Sequence, residues 1–154
     1  MTPFPFNTVR RTVVEQGGSQ RLGDLASSLL APTSPTRKAL IVTDAFLAGS
    51  GLLNPARQSL RDAGFSVVEF TGVLPDPSEA VVSAAVSQAQ TEGVDLVLGM
   101  GGGSSLDVAK IVACLALPGT ALKLPDLYGV ESVRATRLPL VMVLRIATQT
   151  NSLF

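Results

Sequence analysis

The stretch Leu96 to Lys110, LVLGMGGGSSLDVAK, places a short apolar run, three consecutive glycines and a helix-forming segment end to end. A strand is predicted over Asp95 to Met100 and a helix over about Ser105 to Leu117. Glycines at 101 to 103 remove every Cβ where the chain leaves the strand, so backbone N–H groups can approach a phosphate closely. The helix N-terminus adds unpaired donors and roughly half a positive charge, which suits a pyrophosphate. Ser104 is placed to cap the helix and to donate to a phosphate oxygen, and Asp107 completes a Ser-x-x-Asp near-capping box. No GKS or GKT follows the glycines, which excludes a P-loop. As a dinucleotide fingerprint the spacing is Gly99-x-Gly101-x-x-Ser104, with serine for the third glycine, and it comes late in the chain. The alternative for the same residues is a tight turn that uses glycine for positive φ.

Working outward, the chain alternates strand-like and helix-like segments. Thr12 to Gln16, TVVEQ, is β-prone and meets Gly17-Gly18, after which SQRLGDLASSLL sets Leu22, Leu25, Leu29 and Leu30 at helical spacing. A proline-broken loop at 31–36 leads to ALIVT (Ala39 to Thr43), a continuous apolar run of the kind buried on both faces of a parallel sheet. AGSGLLN connects it to a short helix from Pro55 to Ala63, with proline at its first position and Gly64 ending it. Ser66 to Phe70 is the next strand. Ser78 then caps a helix whose apolar face is Val81, Val82, Ala85, Val86 and Ala89, closed at Gly93. After an irregular stretch from Pro118 to Arg137, Leu138 to Leu144 reads as a last strand. This order indicates an α/β fold, a Rossmann-like parallel sheet with helices on both faces, in one domain over residues 1–154.

Composition narrows the function. The 154 residues are 46% hydrophobic and 16% charged, which argues against disorder and leaves ample material for a core or an interface. Twelve basic residues balance twelve acidic ones, with no basic patch among aromatics, so a nucleic-acid partner is not expected. No apolar run approaches a membrane span and the amino terminus has no signal-like h-region, so a cytoplasmic protein without a membrane partner is expected. The single Cys114 lies in IVACLAL and reads as a buried structural thiol. With no histidine, the chain completes neither a Ser/His/Asp triad nor an imidazole metal site.

Three side chains outside the glycine loop are candidates. Asp44 ends the ALIVT strand at the carboxyl edge, where ligands of open α/β sheets collect, so it can hold a ribose hydroxyl and repel a 2′-phosphate; equally, it can cap the following turn. Asp76, between two prolines in LPDPS, lies in a preformed turn near the same edge, either as a further cofactor-binding residue or as a plain turn residue. Lys110, two turns into its helix, reads as solvated or ion-paired.

Together these residues resemble the iron-containing, or group III, alcohol dehydrogenases. The likeness rests on GGGSSLDVAK from Gly101 to Lys110, on LIVTDAFLAGSGL from Leu40 to Leu52, on VLPDPS from Val73 to Ser78, and on the order of elements between Val13 and Val143. Glycerol dehydrogenases and dehydroquinate synthases carry related loops, but the VTD strand end and the loop similar to the family's PNP segment favour the alcohol dehydrogenases.

The resemblance implies a metal-containing, NAD-dependent oxidoreductase that passes hydride between an alcohol and a nicotinamide, with a small alcohol or aldehyde as substrate. By that likeness Gly102, Gly103 and Ser104 contact the pyrophosphate and Asp44 the adenosine ribose, which favours NAD over NADP; Asp76 stands where many members have asparagine. It also implies a second, helical domain whose aspartate and histidines hold the family's iron or zinc. From these residues neither that domain nor metal binding by the chain alone is expected, and the sequence reads LRIATQTNSLF from Leu144 where members have a PTTAGTGSE-like segment. The expectation is a truncated or divergent cofactor-binding part, prone to self-association through surface that normally meets the second domain. No catalytic residue carries over. The alternative is a nucleotide-binding or interaction module that keeps the fold without the chemistry.

Overall fold

The computed structural model describes residues 11–30, 36–127 and 136–144. Four strands, β1 (Lys38–Val42), β2 (Ser66–Phe70), β3 (Leu96–Gly101) and β4 (Leu140–Leu144), form one parallel sheet in the order β2-β1-β3-β4. The two central strands are the two continuous apolar runs, and every residue of β3 is buried. A strand covered on both faces has no use for an alternating polar pattern.

Successive residues of β1 feed opposite cores. Leu40 and Val42 join Val97 and the helices α4 (Glu79–Glu92) and α5 (Gly103–Leu115), while Ala39 and Ile41 join Leu96, Leu98, Met100 and the helices α1 (Leu22–Leu29), α2 (Ala45–Gly49) and α3 (Asn54–Asp62). The expected Rossmann-like sheet with helices on both faces is therefore present.

Local chemistry sets the boundaries. α3 begins with Pro55 in its first turn and stops at Gly64, whose φ is +82°; α4 starts after Ser78 and stops at Gly93, at φ +60°. Gly23 of α1 allows a close crossing with α3: a Cβ there would overlap the Ser59 carbonyl oxygen, and instead the Gly23 N–H donates to Ser59 Oγ at 3.0 Å.

Four expectations need correction. Thr12 to Gln16 forms no strand: residues 11–15 lack regular structure and Val14 is 94% exposed. β-prone residues form a strand only beside a partner, and among the described residues none pairs with them. α5 starts at Gly103, two residues before the predicted onset, because Gly102 takes the extended N-cap conformation. Ser104 is consequently inside the first turn instead of at the cap, and Asp107 pairs with Lys110 at 2.8 Å instead of closing a capping box. The connection after Asp44 holds a one-turn helix, α2, that propensity does not suggest. The loop at 31–35, the span 128–135 and the divergent residues from 145 lie outside the described residues.

Candidate functional site

The strand order reverses between β1 and β3: β2 lies on one side of the pair and β4 on the other. The connections leaving their carboxyl ends therefore part to opposite faces of the sheet, opening the crevice where ligands of open α/β sheets bind. The β3–α5 connection is the glycine loop, and the β1–α2 connection carries Asp44.

The three glycines have different reasons to be there. Gly101 has φ +137°, and a Cβ on it would stand 3.1 Å from Ser105 Oγ and 3.5 Å from Asp44 Oδ2. Gly102, with φ −82°, and Gly103 would each meet nothing within 4 Å if given a Cβ. Both are exposed. Among the described residues nothing in the packing requires glycine at those two positions, and a helix residue changed from alanine to glycine loses about 1 kcal/mol. Just before them, Gly99 is needed for packing, since its Cβ would come 2.7 Å from Ala109 Cβ. The close helix–strand approach assigned to the third glycine of a dinucleotide fingerprint is thus made here by Gly99.

At the start of α5, the N–H groups of Gly103, Ser104 and Ser105 precede the first intrahelical bond, from Leu106 N to Gly102 O at 3.2 Å. No side chain caps this end. The Ser104 hydroxyl makes no hydrogen bond among the described residues, and Ser105 is buried below it. A cluster of outward N–H donors beside open space is suited to an anion.

Across the crevice, Asp44 does both things its position allows. Its Oδ1 accepts from Leu47 N at 2.8 Å and so caps α2, while Oδ2 is turned toward Gly101 and has no hydrogen-bond partner among the described residues. Farther along, Arg57 of α3 grips Glu69 of β2 with two bonds, Nε to Oε1 at 2.6 Å and Nη2 to Oε2 at 2.7 Å. These bonds hold the Glu69 carboxyl below the usual carboxylate range against the opposing effect of burial, and raise the Arg57 guanidinium.

The structure brings Asp44 and the glycine loop together. Asp76 is exposed in the loop after β2, at φ +48°, and makes no hydrogen bond among the described residues. Lys110 is ion-paired and exposed, as its position on the helix suggests. Cys114 is buried, and burial pushes its thiol up from its ordinary value. Sequence reasoning missed Arg57 and Glu69, whose distance of twelve residues gives no local signal. A shallow groove of about 210 Å³ lies elsewhere, between α4, the end of α5 and Lys123, and shares no residue with the crevice.

Residues 10–150 match the family model for iron-containing alcohol dehydrogenases. The chain belongs to that family. Among similar proteins, the NAD-dependent methanol dehydrogenase of Bacillus methanolicus is 34% identical over 145 residues, which cover 92% of this chain and 36% of that protein. The long-chain-alcohol dehydrogenase 1 of Geobacillus thermodenitrificans is 36% identical over 105 residues, or 68% of this chain and 27% of its own. Among solved structures, the NADH-dependent butanol dehydrogenase A of Thermotoga maritima superposes with a TM-score of 0.74 at 31% identity, over 92% of this chain and 34% of that one. The chain thus spans about a third of the length of the relatives it matches. Among its described residues no group of three or more His, Cys, Asp or Glu side chains could hold a metal ion, and no helix is long and apolar enough to cross a membrane.

Proposed function

We propose that the crevice binds NAD, and that the chain is the cofactor-binding part of an alcohol dehydrogenase that exchanges hydride between a small alcohol and its aldehyde. The observation that carries this reading is the pair Gly102 and Gly103, glycines with no packing reason among the described residues, beside an uncapped helix N-terminus. In this reading their N–H groups and those of Ser104 hold the pyrophosphate. Asp44 Oδ2 accepts from the adenosine ribose, and its charge disfavours a 2′-phosphate, hence NAD over NADP. Asp76 adds an acceptor at the same edge. Bound there, NAD supplies the hydride acceptor, and this chain's residues supply its position and orientation.

The family's metal does not fit the residues present. The chain has no histidine, and the described residues gather no ligand cluster. No catalytic step is therefore assigned to these residues. Cytoplasmic residence and self-association belong to the same reading, the latter supported by Met142 and Leu144, exposed on the outer strand β4.

Calorimetric titration with NAD and NADP tests the proposal. Saturable binding of NAD, weaker binding of NADP, and narrowing of that gap in Asp44→Asn are expected. An absence of heat with both cofactors overturns it. A second reading is a nucleotide-binding module without chemistry. Alcohol-dependent NADH formation by the chain with added iron or zinc would exclude it.

A further inference from the structure

We propose that Arg57 and Glu69 are positioning residues for the cofactor ribose, acting through α2 and Asp44; this rests on the assignment of Asp44 to the ribose.

The reasoning starts from the weakness of α2. It has five residues, and one isolated turn does not hold itself in water. Its shape is imposed from its ends. Asp44 Oδ1 accepts from Leu47 N, and the Ala48 N–H donates to Asp44 O at 3.0 Å, so Asp44 and Ala48 are the two ends of one turn. Moving Ala48 moves Asp44.

Ala48 is fixed by Arg57, whose Nη2 donates to its carbonyl oxygen at 3.1 Å. Arg57 is itself immobilised at every nitrogen. Nε and Nη2 fork onto Glu69, and Nη1 donates to Asn54 Oδ1 at 2.9 Å. A bidentate fork fixes the guanidinium plane as well as its location. Glu69 is anchored in the sheet: it is in register with Ile41 on β1, and its carbonyl oxygen accepts from Gln88 Nε2 of α4 at 3.1 Å. The pair is only 17% and 23% exposed, so water competes poorly for it. A rigid line thus runs from β2 through Glu69, Arg57 and Ala48 to Asp44, and its last member is the carboxylate oxygen aimed at Gly101.

Among the described residues, the hydrogen bonds of Arg57 and Glu69 lead to the crevice through α2, so their contribution is orientation. A charged hydrogen bond to a ribose hydroxyl should give about a tenfold preference for AMP over 2′-deoxy-AMP, and that preference depends on where Oδ2 points. Calorimetric titration of both nucleotides into the wild-type chain and the variants Arg57→Lys, Glu69→Gln, Asp44→Asn and Asp62→Asn reads it directly, with circular dichroism confirming the fold. Lysine keeps the charge but cannot fork, and glutamine keeps one acceptor. Both variants are expected to cut the preference to about two- or threefold while 2′-deoxy-AMP binds as before. Asp62→Asn, outside the network, is expected to leave it unchanged.

If Arg57→Lys and Glu69→Gln weaken both nucleotides equally, their role is structural and the proposal fails. If they keep the full preference while Asp44→Asn abolishes it, the positioning role fails and the ribose assignment stands. A wild-type chain without preference, or an Asp44→Asn variant that retains it, overturns the ribose assignment and this inference together.

Discussion

Asp44 Oδ2 lies 3.5 Å from the place a Cβ on Gly101 would occupy, an ordinary contact distance, so the end of β1 reaches across to the end of β3, while the same Cβ would crowd Ser105 Oγ at 3.1 Å. The carboxylate and the glycine loop form the two lips of one crevice. At φ +137°, Gly101 is also in a region that other residues rarely adopt.

The glycines should separate under mutation. Gly102→Ala and Gly103→Ala add a methyl to open space, so thermal unfolding should show unchanged stability for the first and a gain of up to about 1 kcal/mol for the second. Affinity for NAD should nevertheless fall about tenfold or more in both, read by calorimetry. Gly99→Ala should behave oppositely, losing about 1–3 kcal/mol by overpacking against Ala109.

Asp44 has two duties that two substitutions distinguish. Asp44→Asn retains an acceptor for Leu47 N and should leave the melting temperature nearly unchanged while lowering the preference for NAD over NADP about tenfold. Asp44→Ala removes the cap as well and should cost about a further 1 kcal/mol in urea unfolding.

The Arg57–Glu69 pair sets a pH dependence of known sign. The folded carboxyl of Glu69 is lowered, so its contribution is complete above the unfolded value, about 4.3, and is lost as pH falls through the lower folded value. Arg57 is raised from a value already far above neutrality, so it adds no change in the accessible range. Compared with Glu69→Gln, the wild-type chain should be more stable by about 1 kcal/mol at pH 7, with the difference closing below about pH 4. Urea unfolding at a series of pH values checks this.

Gly23→Ala should be among the more damaging single-methyl additions, costing about 3 kcal/mol in denaturant midpoint experiments. Its Cβ would meet the Ser59 backbone, which cannot rotate away as a side chain can.

What the sequence discloses here follows the range of the forces involved. β2 is found at its predicted residues, and β1, α3 and α4 within one residue, because apolar runs and the Pro55, Gly64 and Gly93 signals are local. The onset of α5 is obscured since three glycines carry no propensity that distinguishes loop from first turn. α2 is hidden for a similar reason: its stability comes from Asp44, Ser50 and Arg57, not from its own five residues. Thr12 to Gln16 misleads because β-propensity describes a residue's fit to a sheet that need not be beside it. Asp44 and the glycines were legible as neighbours from their places at strand ends. The Arg57–Glu69 brace was not, because it depends on how α3 lies against β2.

The two lips of the crevice belong to different halves of the molecule: α2 packs with the core beneath α1 and α3, and α5 with the core beneath α4. A ligand touching both is therefore a rivet through the sheet. In hydrogen exchange, the two layers should open as separate units in the free chain and as a single unit when the crevice is filled, so that occupancy changes the cooperativity of unfolding as well as its midpoint.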